Sequence, residues 1–368
     1  MAIYRIFPEN DTFLFSEVPT GNAGKDEILE IGGYKDLSGT GRTSRLLVKF
    51  NLDEISDTLS TKVTGPYSSS INFYLADAYE LPVNYTLYCY PLANPYEPGV
   101  GKFGDVPINT TGASWSYRLN GDSTSWITGS FTGTITGSYI SSQPGGGAWY
   151  YETGSTSLEA TQEHTTVSNH DINLDVSNAI NLIGSGSLPN NGFLIKLQDD
   201  LEFNVSQSIR LKYFSSDTNT IYPPFLEFKW DDTSYETGSL SVLDTSDCVV
   251  TLKNNKGEFV DEGKQRFRIN SRPTYPTRVF TTSSIYLTNY ALPNDALWGL
   301  KDEYSEEMII DFDSNYTKLS CDSSGPFFDI YMNSLQPERY YRLLIKATLD
   351  GSTTVIDSDN VFKIVRNG

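Results

Sequence analysis

The sequence predicts an all-β protein, and three observations carry that prediction. Short runs rich in Val, Ile, Leu, Phe and Tyr alternate apolar and polar residues at a period of two, and Gly, Asn, Pro and Asp punctuate them. Aromatic side chains are abundant, with 24 Tyr and 19 Phe in 368 residues, although only 38% of the chain is hydrophobic. That balance suits packed sheets in which aromatic and β-branched side chains fill the space between layers. Helical periodicity is confined to two short stretches. A chain of this length is expected to hold two or three domains.

The elements follow in order. The stretch Asp11–Leu52 reads as three strands joined by turns, with Phe13, Phe15, Ile28, Leu29 and Ile31 as the apolar members of the first two. In the third, Arg45–Leu52, alternation puts Leu46, Val48 and Phe50 on a core face and Leu47, Lys49 and Asn51 on a wetter one. One helical turn is expected after it, capped by Asn51 or Asp53. A strand pair is expected at Ser70–Ala76 and Tyr85–Leu92. Residues 94–166 then form a long insertion rich in Gly, Ser and Thr. Insertions of this length are braced by their own side chains or serve function, and Trp115, Trp126, Trp149 and Tyr150 are its anchors. They either pack the insertion onto the sheet or present a stacking platform to a sugar or a protein partner. The segment Asp175–Gly184 carries apolar residues at 176, 179, 180, 182 and 183, the best helix in the chain. Strands resume at Phe193–Leu197, Ile209–Phe214 and Pro224–Trp230.

Asp231–Gly238 is polar and turn-rich, so the boundary between domains 1–232 and 239–368 is placed there. Beyond it, strands are expected at Cys248–Leu252, Lys264–Ile269, Val279–Thr282 and Phe327–Met332. Leu335, Pro337 and Tyr341 have the spacing of the tyrosine corner, in which a Tyr hydroxyl bonds back to the backbone of an immunoglobulin-like or fibronectin-like sandwich. Asp350-Gly351 is a hairpin turn before the last strand. The C-terminal region, as one sandwich or two subdomains, is therefore expected to be immunoglobulin-like.

Charge and cysteine content narrow the function. Basic residues number 27 against 46 acidic ones, a net charge of −19; a nucleic acid would be repelled by that field. Cys89, Cys248 and Cys321 are three scattered thiols without metal-ligand spacing, expected as small buried residues. The first residues hold no apolar leader core and no run approaches a membrane span, so synthesis and residence in a cytoplasm, without membrane association, are expected.

The opening, an Asp-Thr strand, the Asn22-x-Gly24 turn, a Leu-x-Ile strand and then Arg45–Leu52, resembles a DNRLRE-type β-sandwich module, as found in carbohydrate-associated and phage virion proteins. His170–Ile180, Asn190–Leu197 and Leu211–Ser216 match its close, so the resemblance covers about residues 1–232. It implies a jelly-roll-like sandwich in which the Arg and Lys of the opening motif are structural. The run Leu211–Asp232, the Gly145–Trp149 motif and Leu319–Gly325 are similar to virion structural proteins of contractile-tailed marine bacteriophages, a likeness spanning nearly the whole chain. That resemblance implies a non-enzymatic particle component, of capsid, neck, tail or baseplate, assembled in the host cytoplasm. Its implied partners are other virion proteins and further copies in an oligomer or symmetric array. The alternative is a carbohydrate-binding module on a phage appendage, with the tryptophans exposed.

Catalytic devices are scarce. His164 and His170 are the only histidines, expected as solvated loop residues, and no nucleophile elbow accompanies them. The Gly145–Gly147 run lacks the Lys-Ser/Thr of a phosphate loop. Acidic pairs are frequent simply because acidic residues are. No cofactor is expected; Asp11 with Asp231 or Asp232 leaves room for a structural calcium.

Overall fold

The computed structural model describes residues 2–79, 81, 83–119, 124–126, 134–136, 145–153, 155–253, 255–278 and 284–367. The expected strand Val279–Thr282 lies outside the described residues, as does part of the 94–166 insertion. The chain divides into two units: an N-terminal one of Ile6–Lys62 and Ser68–Glu227, and a C-terminal one of Met1–Arg5, Val63–Tyr67 and Phe228–Gly368. The all-β expectation holds. The boundary expectation does not, because the chain changes unit inside the strand Phe225–Trp230 and not in 231–238. The polar segment is itself tied into the C-terminal unit: the Glu236 amide donates to the Cys321 carbonyl at 2.9 Å and the Cys321 amide to Ser234 at 2.8 Å.

The N-terminal unit is built on a large antiparallel sheet. Its central strand, Gly41–Phe50, pairs with Ile28–Lys35, with Phe193–Leu197 and with Pro8–Phe15. Tyr85–Pro91 and then Ala160–His164 extend the sheet on one side, Ile209–Phe214 and Leu75–Tyr79 on the other. Leu46, Val48 and Phe50 are buried together with Leu29, Ile31 and Leu211. A second layer in this unit pairs Ile71 with Leu174 and Phe73 with Ile172, and the Phe73 ring meets Tyr213 edge-on. Two helices close the unit where expected. Leu52–Asp57 starts at Asn51, whose side chain accepts from the Asp53 and Glu54 amides and so satisfies two open donors of the first turn. Ser177–Gly184 buries Ala179, Ile180 and Ile183.

The wetter face of Arg45–Leu52 holds for half-buried Lys49 and exposed Asn51 and is corrected at Leu47. Leu47 and Arg45 are as buried as Leu46, because the insertion lies over that side of the sheet and makes a second core. Leu14, Leu47 and Leu194 from the sheet meet Trp115, Trp126 and Trp149 from the insertion in it. A sheet covered on both faces cannot show the simple alternation from which solvent exposure is inferred.

The C-terminal unit is a sandwich of a four-stranded and a five-stranded sheet. Across the two layers Phe328 stacks on Trp298 at 5.0 Å and Phe267 meets a tilted Phe362 at 5.2 Å, while Phe267 and Phe328 stack within one layer at 5.4 Å. The tyrosine corner is present: buried Tyr341 donates its hydroxyl to the Gln336 carbonyl at 3.0 Å. Asp350 and Gly351 have φ of 50° and 72°, the left-handed pair that a two-residue hairpin turn requires, and they join Tyr340–Leu349 to Ser352–Val365. Cys89 and Cys321 are buried, Cys248 is half-buried, and all three are free thiols.

Candidate functional site: the braced aromatic insertion

The insertion is held by one polar side chain that sequence reading treats as a turn residue. Asn22 is buried and fully bonded: its amide donates to the carbonyls of Pro98 and Ala113, and its Oδ1 accepts from the amides of Gly24 and Gly101. An asparagine is suited to this because it offers two donors and two lone pairs at one point. It thereby fastens residues 98–113 to the loop following Pro8–Phe15.

The second anchor is ionic. Arg45 projects from the centre of the sheet into the outer core and forks onto Glu202 with two bonds of 2.7 Å, while its Nη1 donates to the Gly146 carbonyl at 2.7 Å. Both side chains are fully buried. Lys196, also buried, places its ammonium 3.3 Å from the same carboxylate. The guanidinium lies 4.9 Å from the Trp115 ring and 5.5 Å from Trp149, so aromatic faces complete its surroundings. Gly145, Gly146 and Gly147 all have positive φ, and a Cβ on Gly146 would sit 2.6 Å from Arg45. The glycine run is thus what lets the backbone lie against the arginine.

The stacking-platform expectation for Trp115, Trp126 and Trp149 is corrected by this arrangement: the three are 1%, 2% and 0% exposed, and Tyr150 is half-buried. The physical reason is area. Three free indoles would present on the order of 500 Å² of apolar surface, about as much as the largest patch a soluble monomer tolerates. Packing them into the outer core removes that area, and Trp115 and Trp149 shield the ion pair. The Trp126 indole also donates to the Ser114 carbonyl at 3.0 Å.

The insertion also exposes large apolar side chains, where no strand pattern points. Val100, Phe103, Val106 and Ile108 are 63%, 44%, 96% and 55% exposed. Phe103 packs one edge on Phe13 and Phe15. Beside it opens a cleft of about 110 Å³ walled by Phe15, Val18, Phe103 and Ile108, with Glu17 and Asp105 among its polar lining.

The histidines are not solvated loop residues, as expected from sequence. His164 is buried, stacks on Tyr85 at 5.0 Å and contacts the Asn169 carbonyl through Nδ1 at 3.1 Å, leaving Nε2 without a partner. Burial holds its pKa below the usual imidazole value, assisted by His170. His170 Nδ1 bonds the Tyr85 hydroxyl at 2.7 Å, and burial pushes that phenol up. Within the stack the two Nδ1 atoms are taken, that of His164 by the Asn169 carbonyl and that of half-buried His170 by Tyr85. Asp11 is likewise occupied, accepting from the Ser215 hydroxyl and the Ser216 amide at 2.9 and 2.7 Å, with burial raising its pKa. No group of three or more metal-ligating side chains occurs among the described residues.

No protein-family model and no curated protein matches the chain. Among solved structures, a DUF4785 family protein from Legionella pneumophila is similar at 10% identity, over 99% of this chain and 68% of that one, with a TM-score of 0.17.

Proposed function

We propose that this chain is a non-enzymatic building block of a tailed-bacteriophage particle and works through protein–protein contacts. The observation that carries the reading is the exposed apolar set Val100, Phe103, Val106 and Ile108 on an insertion braced from beneath by Asn22 and the Arg45–Glu202 pair. A solvent-facing apolar loop that is firmly positioned is costly unless a partner covers it. Preorganisation also lowers the ordering cost of docking. The sequence resemblance to virion structural proteins supplies the setting. A carbohydrate-binding role through the tryptophans loses its support, since those rings are inside the unit.

Val106→Ser with Ile108→Ser tests the reading, because both side chains are exposed and the change leaves the cores intact. The double variant should fold normally, yet enter particles several-fold less efficiently. Unchanged incorporation, together with saturable glycan binding by the wild-type chain, would replace the assembly reading with the carbohydrate one.

A further inference from the structure

One sheet face of the C-terminal unit is cationic in an otherwise acidic chain. The strand Lys264–Pro273 buries Phe267, Ile269 and Ser271 and turns Lys264, Arg266, Arg268 and Arg272 to its outer face. The neighbouring edge strand Cys248–Lys253 adds exposed Lys253, whose register partner is Arg268. Carboxylates answer only part of this charge. Asp329 takes Arg266 at 2.8 Å and Lys264 at 3.0 Å, Asp322 takes Arg268 at 2.7 Å, and Asp232 lies 3.8 Å from Lys264.

Neither Lys253 nor Arg272 has a carboxylate partner among the described residues. Arg272 donates to the carbonyls of Pro273 and Thr274 and lies 5.1 Å from the Tyr286 ring. Arg266 and Arg268 sit 4.0 and 5.2 Å from the Phe327 ring, which holds their guanidinium planes in place. The face is therefore pre-positioned as well as positive.

The complementary surface is in the other unit. Its sequence carries 25 acidic against 11 basic side chains, compared with 21 against 16 in the C-terminal unit. Exposed Glu159, Glu163, Asp199 and Asp200 surround half-buried Tyr88 at the Ala160–His164 edge of the large sheet; after burial, their negative charge is what pushes the Tyr88 phenol up. We propose that the cationic face around Lys253 and Arg272 docks on the acidic rim around Tyr88 of a second copy of this chain. Two different patches meeting in this way make a head-to-tail contact, which repeats into a ring or a filament. A second copy at −19 is repelled as a whole, as an anionic polymer is; the copy is favoured because it brings its own cationic face and acidic rim, so two copies can meet with opposite local charge. The inference deepens the assembly reading but is measured without particles.

Sedimentation of the full-length chain at low and high salt provides the test. Self-association should appear at low salt and weaken by about tenfold or more at high salt. Lys253→Glu with Arg272→Glu, and separately Glu163→Lys with Asp200→Lys, should each weaken it about tenfold. Lys253, Glu163 and Asp200 are exposed and Arg272 is half-buried, and circular dichroism verifies that each variant folds. Mixing the two reversed variants should restore association. A chain monomeric at every concentration, or an association indifferent to salt and to both reversals, overturns the proposal. So does binding of DNA or an anionic polysaccharide to this face without self-association. If self-association fails but Val106→Ser with Ile108→Ser still blocks incorporation, the assembly reading survives and only this interface is lost.

Discussion

Glu202→Gln is the perturbation that most sharply interrogates the outer core. Glu202 is buried and serves two buried cations, Arg45 through two bonds of 2.7 Å and Lys196 at 3.3 Å. Neutralising it leaves both cations without their shared carboxylate, although Lys196 keeps Asp199 at 2.6 Å and the Leu197 carbonyl at 2.8 Å. Breaking one partner of a buried pair costs about 3–5 kcal/mol. Arg45→Met should cost less, because Glu202 retains Lys196 and the methionine still fills the space between Trp115 and Trp149. The double change should cost less than the sum of the two single ones, since neither charge is then stranded. Hydrogen exchange of peptides from Gly41–Phe50, followed by mass spectrometry, reads this unit separately from the other. Equal losses for the two single variants, or a loss under about 1 kcal/mol for Glu202→Gln, would refute the idea that a shared buried carboxylate pins the insertion.

Three further outcomes follow from single contacts. Phe50→Ala should destabilise the N-terminal unit by about 3–5 kcal/mol in urea unfolding, as a fully buried aromatic does; a loss below about 1 kcal/mol would mean that the site collapses around the change. Tyr341→Phe should cost roughly 1 kcal/mol in the C-terminal unit through the lost bond to Gln336, and an unchanged melting temperature would remove that bond from the account. For pH, the folded-state pKa of His164 is lowered, so its stabilising share is complete above the unfolded value of about 6.5 and declines as pH falls below it. His164→Phe should keep the stack on Tyr85 and flatten the fall in stability as pH drops below about 6.5; an identical pH profile in the variant would locate the titration elsewhere.

Much of the fold was legible because it depends on local chemistry. The Asn51 cap, the apolar spacing of Ser177–Gly184, the Asp350-Gly351 turn and Tyr341 each act through neighbours within a few residues. The illegible part depends on pairings far apart in sequence. Arg45 meets Glu202 and Gly146 across 157 and 101 positions, and no periodicity records that. The same long-range cover reversed the reading of Leu47, which a single strand pattern assigns to the wetter face, and decided between the two readings of the three tryptophans in favour of packing. Asn22 looked like turn chemistry because its bonds to Gly24 and its bonds to Pro98 and Ala113 demand the same residue type. The boundary was misplaced for a related reason: Asp231–Gly238 has a linker's composition, but its backbone is bonded to Cys321.

The proposal that this chain is a particle component is tested most directly by quantitative mass spectrometry of purified tailed-phage particles from a lysate in which the chain is expressed. The account predicts the chain in a fixed ratio to the major capsid protein, unchanged by a high-salt wash. Its absence from the particles, or a trace amount that the wash removes, would contradict it.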